Sequence, residues 1–199
     1  MKQLDNRSFV HLQPSPDAIP APLRYYDPEL QNVLNSEPFD ERRFQRARAK
    51  SKQLQIAYLK EVSTLAPRLS KSTFLRFSDS RQPLFDCDLL EFSLGDSLHN
   101  AEMRSRRKTL EMVVQAKFRS FDEKILHLLT YKNIKALSVN VPSKRWFEMG
   151  WKRMDSLLAD ELTSVDAKLM KHAFLFASGA TISITSEWVR WETKRNIMK

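Results

Sequence analysis

Six basic side chains lie within eleven residues near the start of the chain, and their chemistry is the clearest in the sequence. They are Arg42, Arg43, Arg46, Arg48, Lys50 and Lys52. Residues 41–84 contain eleven basic and three acidic residues, so this stretch supplies most of the net charge of +9. Clustered positive charge attracts polyanions, and each phosphate contact releases counterions, which favours binding. We therefore predict that this segment binds nucleic acid. The alternatives are a solvated surface helix and a surface that meets an acidic protein.

The carboxylates and the single thiol do not form a catalytic motif. Acidic pairs occur in amphipathic stretches that are typical of solvated helix faces. They are Asp86 with Asp88, Asp122 with Glu123, and Asp160 with Glu161. The three glycines are too scattered for a glycine-rich phosphate loop, and Cys87 has no histidine near it in sequence. We therefore predict a protein that is not an enzyme.

The sequence also lacks a pattern for metal binding. One cysteine excludes an internal disulfide and a cysteine-based zinc site. The four histidines are far apart, without an HxxxH or HxH spacing. They are His11, His99, His127 and His172. We predict no metal and no cofactor.

The scarcity of glycine predicts the fold class. Only three glycines occur in 199 residues, whereas sheet proteins need many turns and turns prefer glycine and asparagine. We therefore predict an all-α helical bundle. The predicted helices span 41–66, with Asp40 as the cap, and then 70–77, 84–94, 96–118, 143–162 and 165–192. A further helix is predicted to begin at the capping-box pair Ser120 and Glu123. Residues 132–141 are ambiguous, because a strand there would lack a partner.

The first 39 residues form a Pro-rich arm, since they hold six of the nine prolines. A short helical turn at 29–35 is expected to dock this arm on the main body. The arm either wraps its own domain or serves as a separate binding arm. No run of about 18 apolar residues occurs and the N-terminus has no signal-peptide core, so we predict a cytoplasmic protein that does not enter membranes. A nuclear location is the alternative.

Residues 60–85, KEVSTLAPRLSKSTFLRFSDSRQPLF, resemble the helix-turn-helix end of the TetR family of bacterial repressors. The family pattern is roughly I-A-x-x-A-G-V-S-x-x-T-(F/L)-Y-x-H-F-x-x-K-x-x-L. An overlay covers residues 62–84, with one residue inserted before Leu84. It matches Val62, Ser63, Ala66, Ser72, Thr73, Phe74, Arg76, Phe77 and Leu84 to the pattern.

This resemblance implies a recognition helix that faces the major groove and a DNA target in preference to RNA. The residues that would face the groove are Ser70, Lys71, Ser72 and Thr73. Arg76 would contact a phosphate.

The C-terminal segment FLFASGATISITSEWVRW is similar to a late helix of the same family, whose last two long helices form a dimer. The resemblance implies a homodimer through Phe176, Ala177, Gly179, Ala180, Ile184 and Trp188. It also implies a small apolar effector in the middle helices. The residues that could line its pocket are Phe118, Phe121, Ile125, Leu129, Trp146, Phe147, Met149 and Met154. Core packing within one chain is the alternative for both sets.

The sequence as a whole therefore predicts a transcriptional regulator with three parts. These are the arm at 1–39, a basic helix-turn-helix-like segment at 40–84 and a helical dimerisation and effector domain at 85–199. The alternative is a non-enzymatic structural or assembly protein, ribosome-associated or viral, that binds RNA or an acidic partner.

Overall fold

In the part of the chain that the structure describes, three α-helices come first and six β-strands follow them. The computed structural model describes residues 23–34, 36, 38–79, 82–96, 112–141 and 156–196. The helices are α1 (Glu29–Leu34), α2 (Glu41–Thr64) and α3 (Lys71–Phe77), and a 3-10 turn at Ala66–Arg68 separates the last two. The strands are β1 (Asp88–Asp96), β2 (Met112–Arg119), β3 (Ile125–Asn140), β4 (Leu157–Ser164), β5 (Met170–Phe176) and β6 (Thr181–Arg195).

The strands form one antiparallel sheet in the order β1-β2-β3-β6-β5-β4. The all-α prediction is therefore wrong. The predicted helix 84–94 overlaps β1, and the described ends of helices 96–118 and 143–162 are strands β2 and β4. The predicted helix 165–192 is the hairpin of β5 and β6. The ambiguous segment 132–141 lies largely in β3, which has partners on both sides.

The last hairpin shows why the helical interpretation failed. Residues four apart share a face in a strand as well as in a helix, so a spacing of four does not separate the two structures. The alternation of burial in β5, with Met170, His172, Phe174 and Phe176 inside, is the period of two that defines a strand. Four of the five residues in Thr181–Thr185 are β-branched, which adds to the preference for a strand.

The predicted capping box at Ser120 is also wrong, because the same two residues belong to a hairpin loop. The Glu123 N–H donates to the Ser120 carbonyl at 2.8 Å, and the Ile125 N–H donates to the Ser120 hydroxyl at 3.0 Å. Glu123 has a φ of 59°, in the left-handed region. Gln82, Asp86 and Asn133 are also left-handed. Gly179 supplies the left-handed position of the turn between β5 and β6, but these four left-handed positions are occupied by residues other than glycine. A low glycine count therefore did not exclude a sheet.

The N-terminal helices agree with the sequence prediction. Helix α2 begins at Glu41, and the Asp40 carboxylate accepts the Arg43 N–H at 3.0 Å. Ser70 caps α3 in the same way through the Thr73 N–H, at 3.3 Å. The helical turn predicted at 29–35 is α1. None of the described helices is both long and apolar enough to cross a membrane.

Helices α2 and α3 pack on one face of the sheet and share a single hydrophobic core with it. The largest fully buried side chains include Trp191, Tyr131, Phe118 and Phe174. The sheet bends so that its two outer strands meet at one end. There the Asp86 N–H donates to the Leu157 carbonyl at 2.8 Å, and the Leu157 N–H donates to the Cys87 carbonyl at 2.9 Å.

Candidate functional site

The six predicted cations all lie on the exposed surface of α2. Two of them form ion pairs with acidic residues in or just before α1. The Arg43 guanidinium lies 2.6 Å from the Glu29 carboxylate, and the Lys50 ammonium lies 2.6 Å from Asp27. The other four have no ion pair with any residue that the structure describes. They are Arg42, Arg46, Arg48 and Lys52.

A groove of about 300 Å³ runs between α1 and α2 on this side of the molecule. Arg43, Arg46 and Lys50 line it together with Glu29. The hydrogen bond from Arg43 lowers the pKa of Glu29, so this carboxylate is charged at neutral pH and offsets one of the three cations. Lys50 is paired with Asp27, so Arg46 is the lining cation that has no ion pair with a described residue, and it gives the groove its excess positive charge.

The segment that resembles a helix-turn-helix is divided between solvent and core. Ser70, Lys71 and Ser72 are exposed at the start of α3, whereas Thr73 is fully buried. The Thr73 hydroxyl accepts the Trp191 main-chain N–H at 3.2 Å. Thr73 therefore cannot reach a base edge, in contrast to the expectation from the sequence.

Arg76 is half-buried rather than freely presented to a phosphate. Its Nε atom is buried and has no hydrogen-bond partner among the described residues. Its positive charge contributes to lowering the pKa of His127, so the guanidinium lies close to the core.

The residues predicted for dimerisation do not share a helix face. Phe176, Ala180 and Ile184 are buried in the core of the same chain, which is the alternative left open by the sequence. Ala177 and Gly179 lie in the turn between β5 and β6, which is exposed at both residues. Trp188 is half-buried, with the Lys132 ammonium 5.4 Å from its ring centroid. Homodimer formation itself stays a prediction.

The residues predicted for an apolar effector pocket are also dispersed. Phe118 and Leu129 belong to the core, whereas Phe121 and Ile125 are exposed at or beside a hairpin loop. The remaining four, Trp146, Phe147, Met149 and Met154, lie outside the described residues.

A buried polar network that the sequence did not reveal crosses the interior. The Tyr131 hydroxyl lies 2.6 Å from His172 Nδ1, and His172 Nε2 lies 3.0 Å from Asp160 Oδ2. A neutral imidazole satisfies both contacts if Tyr131 donates to Nδ1 and Nε2–H donates to Asp160. The cross-strand partner of His172 is Leu162, and Asp160 lies two residues before Leu162 in β4. Asp160 and His172 are therefore diagonal neighbours on β4 and β5. This contact depends on the register of β4 with β5, so it could not be predicted from the sequence.

Burial holds two other groups, His127 and Cys87, in their neutral forms. The Trp191 indole N–H donates to His127 Nδ1 at 3.2 Å, and burial lowers the pKa of His127 to about 4. Burial likewise raises the pKa of the Cys87 thiol to about 12. The Cys87 thiol donates to the Pro83 carbonyl, with 3.5 Å between sulfur and oxygen. A thiol with a raised pKa is a poor nucleophile at neutral pH, because the thiolate is the reactive form.

No group of three or more His, Cys, Asp or Glu side chains in the described part of the chain has a metal-binding arrangement. No protein-family model, curated protein or solved structure matches the chain. The TetR resemblance therefore remains a prediction from residues 62–84, while the all-α fold that accompanied it is wrong.

Proposed function

We propose that this protein binds nucleic acid through the phosphate backbone, using the exposed cations in the first half of α2. The observation that carries the proposal is the set of four cations without an ion pair to any described residue: Arg42, Arg46, Arg48 and Lys52. A helix rises about 1.5 Å per residue, so these four span about 15 Å. This length corresponds to roughly four phosphates of one strand at 3.4 Å each.

The orientation of α2 supports the proposal. Ala47, Tyr58 and Val62 are buried and fix the side of the helix that faces the sheet. The four cations are exposed, so they lie away from that side. Because Asp40 caps the helix and the sheet holds it, the cations are presented on a preorganised element, which lowers the entropic cost of binding.

The surroundings favour contacts to phosphate over contacts to bases. Phosphate contacts set the position of a protein on nucleic acid but carry little sequence information. The start of α3 offers only short or flexible side chains, Ser70, Lys71 and Ser72, since Thr73 packs against β6. We therefore propose a binding mode with weak sequence preference. DNA and RNA share the phosphate chemistry, so the experiment includes both.

The test measures fluorescence anisotropy of a labelled DNA duplex and a labelled single-stranded RNA. The variant carries Arg42→Ala, Arg46→Ala, Arg48→Ala and Lys52→Ala. We expect it to lose about tenfold or more in affinity, because up to four phosphate contacts are removed. A matched control removes four exposed charges from the sheet side, by Lys168→Ala, Lys171→Ala, Lys194→Ala and Arg195→Ala.

An equal loss in the control would show that net charge alone governs binding, and it would contradict an interface on α2. An unchanged affinity in the α2 variant would contradict the proposal directly. Poly-glutamate serves as an acidic competitor. If it displaces the nucleic acid at equal charge concentration, the acidic-protein alternative replaces the proposal.

A further inference from the structure

Two aromatic rings lie at the start of α2, beside the cations of the proposed interface. Phe39 precedes the capping residue Asp40, and Phe44 lies one turn inside the helix. Their ring centroids are 5.5 Å apart, with an angle of 50° between the ring planes. Such a pair across a helix start is a hydrophobic staple, which fixes the direction of the incoming chain. The staple explains why the two rings touch, but it does not explain why one of them faces water.

The exposure of these rings leaves an aromatic surface that the fold does not use. Phe39 is 52% exposed and Phe44 is half-buried. Among the described residues, neither ring belongs to the hydrophobic core or to the side chains that pack against it. A single exposed ring is ordinary on a protein surface, so its neighbours decide what it can bind.

Cations follow the rings along one side of α2. Arg48 lies four residues after Phe44, and Lys52 lies four residues after Arg48, so the three share a helix face at steps of about one turn. Both cations are exposed, and neither has an ion pair with a residue that the structure describes. Helical side chains lean towards the N-terminus, so Arg48 extends towards Phe44. The aromatic surface therefore continues directly into a row of positive charge.

The acidic residues of α2 and its cap leave this row of cations uninterrupted. Asp40 and Glu41 lie at the aromatic end, where they accept hydrogen bonds from the Arg43 N–H and the Gln45 side chain. Residues 42–60 contain no Asp or Glu. Carboxylates repel a phosphate, so a ligand of this face is uncharged at the rings and anionic at the cations. A nucleotide unit of a single strand has this form, because its base is a flat neutral ring and its phosphate carries the charge.

We propose that the face formed by Phe39, Phe44, Arg48 and Lys52 binds a single strand of nucleic acid. An unpaired base stacks on Phe39, and the neighbouring phosphates contact Arg48 and Lys52. This inference rests on the proposed function, because it uses two of the same cations. Proteins that bind single strands combine cationic surfaces with aromatic rings on which bases stack.

Two other polyanions fit this face less well. The bases of a duplex already stack on one another and present only their edges in the grooves, so they offer no flat surface to Phe39. An acidic peptide would contact the cations but would leave the Phe39 ring in water. Stacking therefore separates a single strand from both, and the experiment measures it directly.

The test compares strands that differ only in their bases. Fluorescence anisotropy measures binding of the full chain to labelled oligothymidylate of about 12 nucleotides, a length within the range of single-strand sites. The second probe is an abasic strand of equal length, which keeps every phosphate and has no base to stack. The third is the duplex of oligothymidylate with oligoadenylate. We expect oligothymidylate to bind about tenfold more tightly than the abasic strand, because a stacked base adds affinity.

Phe39→Leu locates the stacked base. Leucine keeps an apolar contact with Phe44, so the helix start is preserved, but it offers no flat ring. The affinity for oligothymidylate should fall about tenfold, whereas the affinities for the abasic strand and the duplex should stay those of the parent. Phe39→Trp keeps an aromatic face and should bind oligothymidylate at least as tightly as the parent. Phe121→Leu is the matched control, since Phe121 is 80% exposed in the loop between β2 and β3, and it should bind like the parent.

Three outcomes would overturn this inference. The parent could bind oligothymidylate and the abasic strand equally, or Phe39→Leu could bind oligothymidylate as tightly as the parent does. The third outcome is an equal loss for oligothymidylate and the duplex in Phe39→Leu, because a disturbed helix start would then explain both. The fourfold α2 variant judges the proposed function separately. If it loses affinity for all three probes while Phe39→Leu binds like the parent, the phosphate contacts stand and the stacked base does not.

Discussion

The side-chain hydroxyl of Thr73 accepts a hydrogen bond from the main-chain N–H of Trp191, with 3.2 Å between the oxygen and the nitrogen. Strand β5 pairs with β6 only as far as Met170 and Ser186, so no strand covers β6 on that side at Trp191. Helix α3 takes the place of the missing strand. The contact joins residues that are 118 positions apart in sequence and thereby couples the helical part of the chain to the centre of the sheet.

The first prediction concerns this contact. Thr73→Val preserves the shape of the side chain but leaves the Trp191 N–H buried without an acceptor. The free energy of unfolding should fall by about 1–3 kcal/mol, as expected when a buried donor loses its partner. Urea unfolding followed by tryptophan fluorescence measures the change.

Thr73→Ser is the matched control, because it keeps the hydroxyl and removes one methyl group. It should cost about 1 kcal/mol through lost burial. If Ser destabilises the protein more than Val does, the hydrogen bond is not the main contribution of this side chain.

The second prediction concerns the pH dependence of stability. The pKa of His127 is lowered from its ordinary value of 6.5 to about 4 in the folded protein. Between pH 4 and pH 6.5, therefore, the histidine binds a proton in the unfolded state but not in the folded state. The free energy of unfolding should therefore decrease as the pH falls from about 6.5 to about 4. The loss should approach about 3 kcal/mol, from roughly 1.4 kcal/mol per pKa unit.

His127→Gln tests the assignment, since the Gln oxygen can accept the Trp191 indole N–H without titrating. Chemical unfolding at pH 7 and pH 4.5 should show a smaller loss in this variant than in the parent. Carboxylates titrate in both proteins and cancel from the comparison. If the free energy of unfolding falls by the same amount in the parent and in the variant, groups other than His127 cause the pH dependence.

The third prediction concerns Cys87, the only thiol in the chain. Burial raises its pKa from 9 to about 12, so at pH 8 the thiolate fraction is about a thousandfold lower than in the unfolded chain. Ellman's reagent should therefore label the native protein at least about a thousandfold more slowly than the urea-unfolded protein. Rapid stoichiometric labelling of the native protein would show that the loop from Leu84 to Cys87 opens readily.

The fourth prediction concerns the salt dependence of nucleic-acid binding. Four phosphate contacts give a slope of log K against log salt of about −3.6 for duplex DNA and about −2.8 for a single strand. The fourfold alanine variant of α2 should lose most of this slope, whereas the sheet-side control should keep it. A slope that does not differ between the two variants would argue that the cations of α2 do not contact phosphates.

Local signals in the sequence predicted the helices and failed for the sheet. Asp40 and Ser70 each cap a helix by a hydrogen bond to the N–H three residues later. Such a local signal is visible in the sequence, so the starts of α2 and α3 could be predicted. The spacing of Ala180, Ile184 and Trp188 is compatible with a helix or a strand. A strand forms because this segment pairs with β3, which lies about 50 residues away in sequence. The hairpin loop at Glu123 and the position of Asn133 within β3 adopt left-handed backbone conformations without glycine, so the residue that usually marks such positions in a sequence is missing there.

The contacts at the candidate sites also differ in how far the sequence could predict them. The cations of α2 lie close together in sequence, so their grouping on one helix could be predicted from the sequence alone. By contrast, Tyr25 and Glu161 are 136 positions apart, and they meet because the Tyr25 main-chain N–H donates to the Glu161 carboxylate. No spacing in the sequence predicts such a contact, because it depends on how the segment before α1 crosses β4.

The position of β6 has a consequence for the time course of synthesis. This strand lies between β3 and β5, yet it follows all the other described strands along the chain. Arg195, its last residue, follows the end of β3 by 55 residues. At roughly 5–20 residues per second, β3 would expose an unpaired edge for about 3–11 seconds on the ribosome. During that interval the β1–β3 meander is a template for strands of other chains, so we expect nascent chains to depend on chaperones until β6 emerges.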